Sequence, residues 1–105
     1  MSFNDYLATF PAVDHLSGLN VLNEAGEVVH HIPAVAGKLG SLKLYNALAE
    51  RFEGLLNAED ATQGLTGFGE HMADAEANSG KHPNVDLLLA VQAEQMQYRL
   101  QAIAQ

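Results

Sequence analysis

Leu19-Asn20-Val21-Leu22-Asn23-Glu24-Ala25-Gly26-Glu27-Val28-Val29-His30-His31-Ile32 is the stretch on which the fold turns. Two runs rich in Val, Leu and Ile flank Glu24-Ala25-Gly26, and a glycine closing such a turn can take the left-handed conformation of a bulged hairpin. Pro33 closes the second strand, because it has no N–H to give to a ladder. A lone two-stranded ribbon is marginal in water. The hairpin over residues 19–32 must therefore lie on helices or pair its exposed edge with another copy, and that edge is a candidate dimer seam.

Helical spacing surrounds the hairpin on both sides. Upstream, Ser2 followed by Asp5 is a capping-box-like start, and Phe3, Leu7 and Phe10 recur before Pro11, which predicts a helix over 3–10. Downstream, Leu42, Tyr45, Leu48, Ala49, Phe52 and Leu56 form an apolar stripe opposite Lys43, Asn46, Glu50 and Glu53, giving a helix over 41–54 with Gly54 at its end. Asn57 is a good N-cap, with Glu59 and Asp60 placed to complement the positive end of the next helix, 58–78. Its stripe is Ala61, Leu65, Phe68, Met72 and Ala75. Gly64, Gly67 and Gly69 each cost about 1 kcal/mol relative to Ala inside a helix, so close approach or a break is expected there. Pro83 and Asn84 suit the start of a fourth helix, 84–103, carrying Val85, Leu89, Ala93, Met96, Leu100 and Ile103 on one face. The reading is one α+β domain over 1–105, mostly helical, with about four helices and one hairpin in the N-terminal half.

Composition limits the function. A chain of 105 residues with 48% apolar and 17% charged residues sits in the globular range, and its length suits one core. Thirteen acidic against five basic side chains give a net charge of -8, which repels phosphate backbones and anionic lipid surfaces. Nucleic acid and membranes are therefore not expected partners. Cysteine is absent, which removes disulfides, thiolate zinc sites and thiol catalysis. No basic leader precedes an apolar run, and no window approaches the roughly 18 apolar residues of a membrane span, so a cytoplasmic, unanchored protein is expected.

The candidate chemistry lies between the third and fourth helices. Gly64, Gly67, His71, Asp74 and Asn78 fall at steps of three and four and would line one stripe of a continuous helix. Gly64 and Gly67 then form a floor for a ligand or a neighbouring backbone, with His71 and Asp74 as acid, base or ligand; helix packing through glycines with a surface His–Asp pair is the plainer reading. His82 and Asp86 stand four apart at a helix start, where both residue types commonly satisfy free backbone N–H groups instead of reacting. If the two helices fold back on one another, Asp74, His82 and Asp86 supply a weak set of divalent-metal ligands; His71 would lie about 10 Å away along the 1.5 Å rise per residue. No other cofactor is implied.

Two further motifs carry less. His30 and His31 are adjacent on a strand and point to opposite faces, so one packs while the other meets solvent. Ala36-Gly37-Lys38-Leu39-Gly40-Ser41 is like a phosphate loop, but Leu39 stands where Ser or Thr should follow Lys38 and the upstream glycine is missing, so a Gly-bearing helix start explains it as well. Neither a Gly-x-Ser-x-Gly elbow nor a calcium loop occurs.

Gly37-Lys38-Leu39-Gly40-Ser41-Leu42, the pairs Glu70-His71 and Asp74-Ala75, and Gly80-Lys81-His82-Pro83-Asn84-Val85-Asp86 resemble a small proteobacterial family catalogued as a domain of unknown function. The resemblance spans most of the chain and implies a bacterial, cytosolic protein; it brings no catalytic residues. The sequence favours a homo-oligomerising or protein-binding module over a catalyst. The alternative is a small enzyme or metal-binding protein using His71, Asp74, His82 and Asp86.

Overall fold

The computed structural model describes residues 3–36, 38–78 and 80–104. The Ser2 cap, Gly37 of the phosphate-loop-like run, and Ser79 lie outside the described residues.

The hairpin forms where the turn chemistry places it. Asn23 Oδ1 accepts hydrogen bonds from the N–H groups of Ala25 and Glu27 at 3.0 and 2.9 Å, and Gly26 takes φ of 84°. Around this turn β1 (Leu16–Leu22) and β2 (Val28–Pro33) pair antiparallel, with Leu19 opposite Ile32 and Val21 opposite His30. One side of the hairpin is buried: Leu19, Val21 and Ile32 are within the core. The other presents Asn20 and His31, whose Nδ1 donates to Asn20 Oδ1 at 2.6 Å. His30 turns inward, so the two histidines do diverge.

Helix α1 (Phe3–Leu7) is shorter than the expected 3–10, because single turns replace the helix from Ala8 onward. Helix α2 (Leu39–Arg51) buries Leu42, Leu44, Tyr45 and Leu48. The chain then reverses sharply through Glu53 at φ of 55° and Gly54 at φ of 82°, so Leu56 leaves the helical stripe and joins the two-residue strand β3 (Leu55–Leu56).

The helix expected over 58–78 is broken. Asn57 caps α3 (Ala58–Phe68) through a reciprocal pair, Asp60 N–H to Asn57 Oδ1 at 3.0 Å and Asn57 N–H to Asp60 Oδ2 at 3.2 Å. Gly69 then adopts φ of 57° and ψ of -125°, a combination that side-chain-bearing residues avoid, and α4 (Glu70–Ala77) leaves in a new direction. Gly64 and Gly67 serve close approach instead: a Cβ on Gly64 would sit 2.8 Å from both Leu48 Cδ1 and Leu88 Cδ1, and one on Gly67 would sit 3.1 Å from Leu44 Cδ1.

The largest correction concerns the C-terminus. The helix expected over 84–103 is α5 (Pro83–Glu94) alone; Gln95 takes a left-handed conformation and Tyr98–Ala104 forms a strand, β4. This strand pairs antiparallel with β1, Val21 opposite Leu100, and with β3, Leu56 opposite Tyr98, giving the sheet order β2-β1-β4-β3. Leu100 and Ile103 are on one helical face by spacing, but in a strand residues three apart point oppositely. Leu100 is accordingly buried, while Ile103 is half-buried on the other face. Strand β4 occupies the second edge of β1, which leaves the outer edge of β2 as the hairpin's open one.

The result is an α+β fold with one core between the inner face of the sheet and α2, α3 and α5, centred on Tyr45, Phe68 and Leu88. Among the described residues no helix is long and apolar enough to cross a membrane.

Candidate functional site

The turn between α4 and α5 is held by side chains. Gly80 takes φ of 91°, and its N–H donates to Asp86 Oδ2 at 2.9 Å. Asp86 thus closes the turn from the first turn of α5; it accepts from a residue ahead of the helix and does not cap the helix's own N–H groups, contrary to the capping that the sequence suggests. Asp74, on α4, does meet the returning chain. Its Oδ2 accepts from His82 Nε2 at 2.6 Å and lies 3.1 Å from Lys81 Nζ, while its Oδ1 accepts from Asn78 Nδ2 at 3.0 Å. The hydrogen bond from His82, then that from Lys81, hold the Asp74 carboxyl at about 2, below the ordinary carboxylate range.

His71 is closer to this group than a continuous helix allows. The break at Gly69 and the return of Lys81 and His82 to Asp74 bring the His71 and His82 rings to 5.2 Å between centroids. On its other side the His71 ring meets the edge of Phe3 at 4.8 Å, and Phe3 stacks on Phe68 at 5.4 Å. The backbone N–H of Phe3 donates to Glu70 Oε1 at 2.7 Å, which lowers the Glu70 carboxyl below its usual range. His71, Asp74 and His82 therefore assemble, and Asp86 stands apart.

The arrangement is a poor one for a cation. No group of three or more His, Asp or Glu among the described residues is placed to hold a metal ion, and the Lys81 ammonium occupies the side of Asp74 that faces His82. The expected metal set Asp74, His82 and Asp86 is not brought together.

What the two imidazoles line instead is an open cleft of about 490 Å³. One wall is the start of α5, with Lys81, His82 and Asn84; the opposite wall is the start of α2, Lys38 to Ser41, with Phe3 and Leu7 closing one side over Phe68. Neither helix start carries a side-chain cap. At α5, however, Pro83 has no N–H and the Val85 N–H donates to the His82 carbonyl oxygen at 3.0 Å. Two of the chain's five lysine and arginine residues and two of its five histidines line this cleft, and no carboxylate does. Lys38 has no ion pair among the described residues, and Asp74 offsets only one of the two ammonium charges. Lysine and histidine are thus the only ionisable side chains in the lining of this cleft, in a strongly acidic molecule.

Several residues hold these walls in place. Tyr45 Oη donates to the Asn84 carbonyl oxygen at 2.6 Å, and His30 Nε2 donates to Asn84 Oδ1 at 2.6 Å, so the sheet and α2 together fix the start of α5. Burial of Tyr45 raises its phenol far above the ordinary range, which keeps it a donor. Gly40 lets Phe3 lie against α2: a Cβ there would stand 3.0 Å from the ring. Lys38 to Ser41 and Lys81 to Asp86 stand out separately in the sequence; nothing in their spacing pairs them, and Asn84 carries no local signal beyond that of a helix start.

Fold and site together define a two-layer α+β domain, helices on one face of a four-stranded antiparallel sheet, with a basic cleft between two helix N-termini. The chain belongs to a bacterial family described as "Uncharacterized protein conserved in bacteria (DUF2322)", whose model matches residues 3–102. No curated protein and no solved structure matches it.

Proposed function

We propose that this protein binds a small anionic molecule in the cleft between the starts of α2 and α5. One observation carries the reading: a chain of net charge -8 lines this cleft with Lys38, Lys81, His71 and His82 and with no carboxylate. An anion there gains Coulomb attraction from Lys38 and Lys81, the N–H groups of the first turn of α2, and the positive ends of both helix dipoles. The cleft volume of about 490 Å³ suits a small organic molecule. Asp74 is a positioning residue, holding Lys81 and His82 at the rim. The test is an NMR titration with sodium butyrate and with inorganic phosphate. Saturable shifts at the amides of Leu39, Gly40, Ser41 and Val85 support the proposal; no saturable shift at those amides up to tens of millimolar with either probe overturns it.

A second reading, association between two copies of this chain, is favoured by a separate observation. β2 is an edge strand of the sheet, and its Val28 and Val29 are 54% and 46% exposed. Antiparallel pairing of β2 with its copy about a two-fold axis would extend the sheet and give each valine a cross-strand neighbour on its own face. Light scattering at several hundred micromolar tests it: a dimer abolished by Val29→Lys supports the reading, and a monomer at that concentration overturns it.

A further inference from the structure

Asn84, on the first turn of α5, is 7% exposed, so more than nine-tenths of it is buried, yet it lines the cleft. Its side-chain amide carries one acceptor oxygen and two N–H donors. The oxygen is taken, because Oδ1 accepts from His30 Nε2 at 2.6 Å. The backbone carbonyl oxygen is taken as well, by Tyr45 Oη at 2.6 Å. The amide nitrogen, Nδ2, makes no hydrogen bond among the described residues, although a donor buried without a partner is costly. It is not sealed in the core either: among the described residues no enclosed side-chain nitrogen or oxygen lacks a partner. Nδ2 therefore keeps an opening to solvent, and the opening that Asn84 lines is the cleft.

Resting on the anion-binding reading above, we infer that Asn84 is a binding residue whose Nδ2 donates to an oxygen of the bound anion, and that His30 is the positioning residue that aims it. The amide is planar, so holding Oδ1 on His30 turns Nδ2 the other way. The reversed amide would present an oxygen to the anion and repel it. His30 belongs to β2 and does not line the cleft, so it acts through Asn84. Lys38 and Lys81 supply charge without direction, whereas an N–H held at a fixed angle asks for an oxygen lone pair. The ligand class is accordingly an oxyanion, carboxylate or phosphate.

The experiment is an NMR titration of the full chain with sodium butyrate and with inorganic phosphate, following the side-chain NH2 pair of Asn84. With at least one of the two probes that pair should shift saturably, with the same dissociation constant as the backbone amides of Leu39, Gly40 and Ser41. Asn84→Asp keeps an oxygen for His30 but removes the donor, and should weaken binding at least about fivefold, the equivalent of about 1 kcal/mol. His30→Ala frees the amide to turn and should weaken binding too, while His30→Gln, which keeps a donor for Oδ1, should restore it. Saturable shifts at Leu39 to Ser41 with the Asn84 pair unmoved overturn the inference, as does wild-type affinity in Asn84→Asp. Equal affinities in His30→Ala and His30→Gln overturn the positioning role. The wild-type titration needs no variant, so a misfolded substitution leaves the inference testable. No saturable shift at any of these groups removes the anion site itself, whereas an unmoved Asn84 pair beside shifting α2 amides removes this inference alone.

Discussion

His82 Nε2 lies 2.6 Å from Asp74 Oδ2, a residue eight positions earlier in the chain and on α4. This bond ties the start of α5 to α4, and through Lys81 on the same oxygen it fixes two basic groups along one wall of the cleft. Asp86 does the complementary job from within α5, by accepting the Gly80 N–H.

The Asp74 bond has a sign in pH. Its carboxyl, held at about 2 by His82 and then Lys81, is depressed below the unfolded value of about 3.9. A depressed carboxyl contributes stability that is present above the unfolded value and lost as pH falls toward the folded one, here from about pH 4 to pH 2. Asp74→Asn should therefore flatten the loss of stability across that window. Urea midpoints measured from pH 5 to pH 2 check it; wild-type and variant curves that fall in parallel would contradict the assignment.

Gly69 separates α3 from α4 at φ of 57° and ψ of -125°. Any residue with a Cβ is strained there, so Gly69→Ala should lose on the order of 1–3 kcal/mol of stability. It should also displace His71 relative to His82, visible as altered imidazole shifts. A variant with the wild-type urea midpoint would mean that the break is not fixed by the glycine.

Gly64 and Gly67 should separate by degree. Alanine gains about 1 kcal/mol in helix propensity at either position. At Gly64 the new methyl would stand 2.8 Å from Leu48 and Leu88, both buried, whereas at Gly67 the nearest atom is at 3.1 Å. Overpacking typically costs about 1–3 kcal/mol. Gly64→Ala should therefore be destabilised and Gly67→Ala markedly less so; the reverse order in denaturant midpoints would contradict the packing described.

Local chemistry made much of the fold readable. Asn23 and Gly26 announce the hairpin, Asn57 and Asp60 the capping box, and the Leu42–Tyr45–Leu48 spacing the central helix. Strand β4 was hidden because Val85 to Ile103 satisfies a helical spacing, while Tyr98-Arg99-Leu100-Gln101 equally satisfies an alternating one. The choice is made by a distant demand, the unpaired second edge of β1, together with the left-handed turn at Gln95. Gly69 shows the same limit: three helix glycines advertised a penalty, but only one breaks the helix while Gly64 and Gly67 admit neighbouring leucines.

The site was half legible. A short turn between Asp74 and His82 makes their meeting foreseeable, and that Asp86 accepts from a backbone N–H follows from its place at a helix start. A continuous helix through Gly69 would set His71 too far away, and only the break at that glycine brings it close. The opposite wall, Lys38 to Ser41, reaches the cleft only through long-range packing of α1 and α2, which no local pattern encodes.

The central claim, an anion held between two helix starts by Lys38 and Lys81, is tested most directly at Lys38, which is exposed and makes no ion pair among the described residues. Butyrate affinity is measured by NMR titration for the wild-type chain and for Lys38→Gln, with thermal melting as the control for folding. The account expects an unchanged melting temperature and binding weakened at least about fivefold, the scale of roughly 1 kcal/mol for one charge-assisted contact. Equal affinities in the two proteins would contradict it.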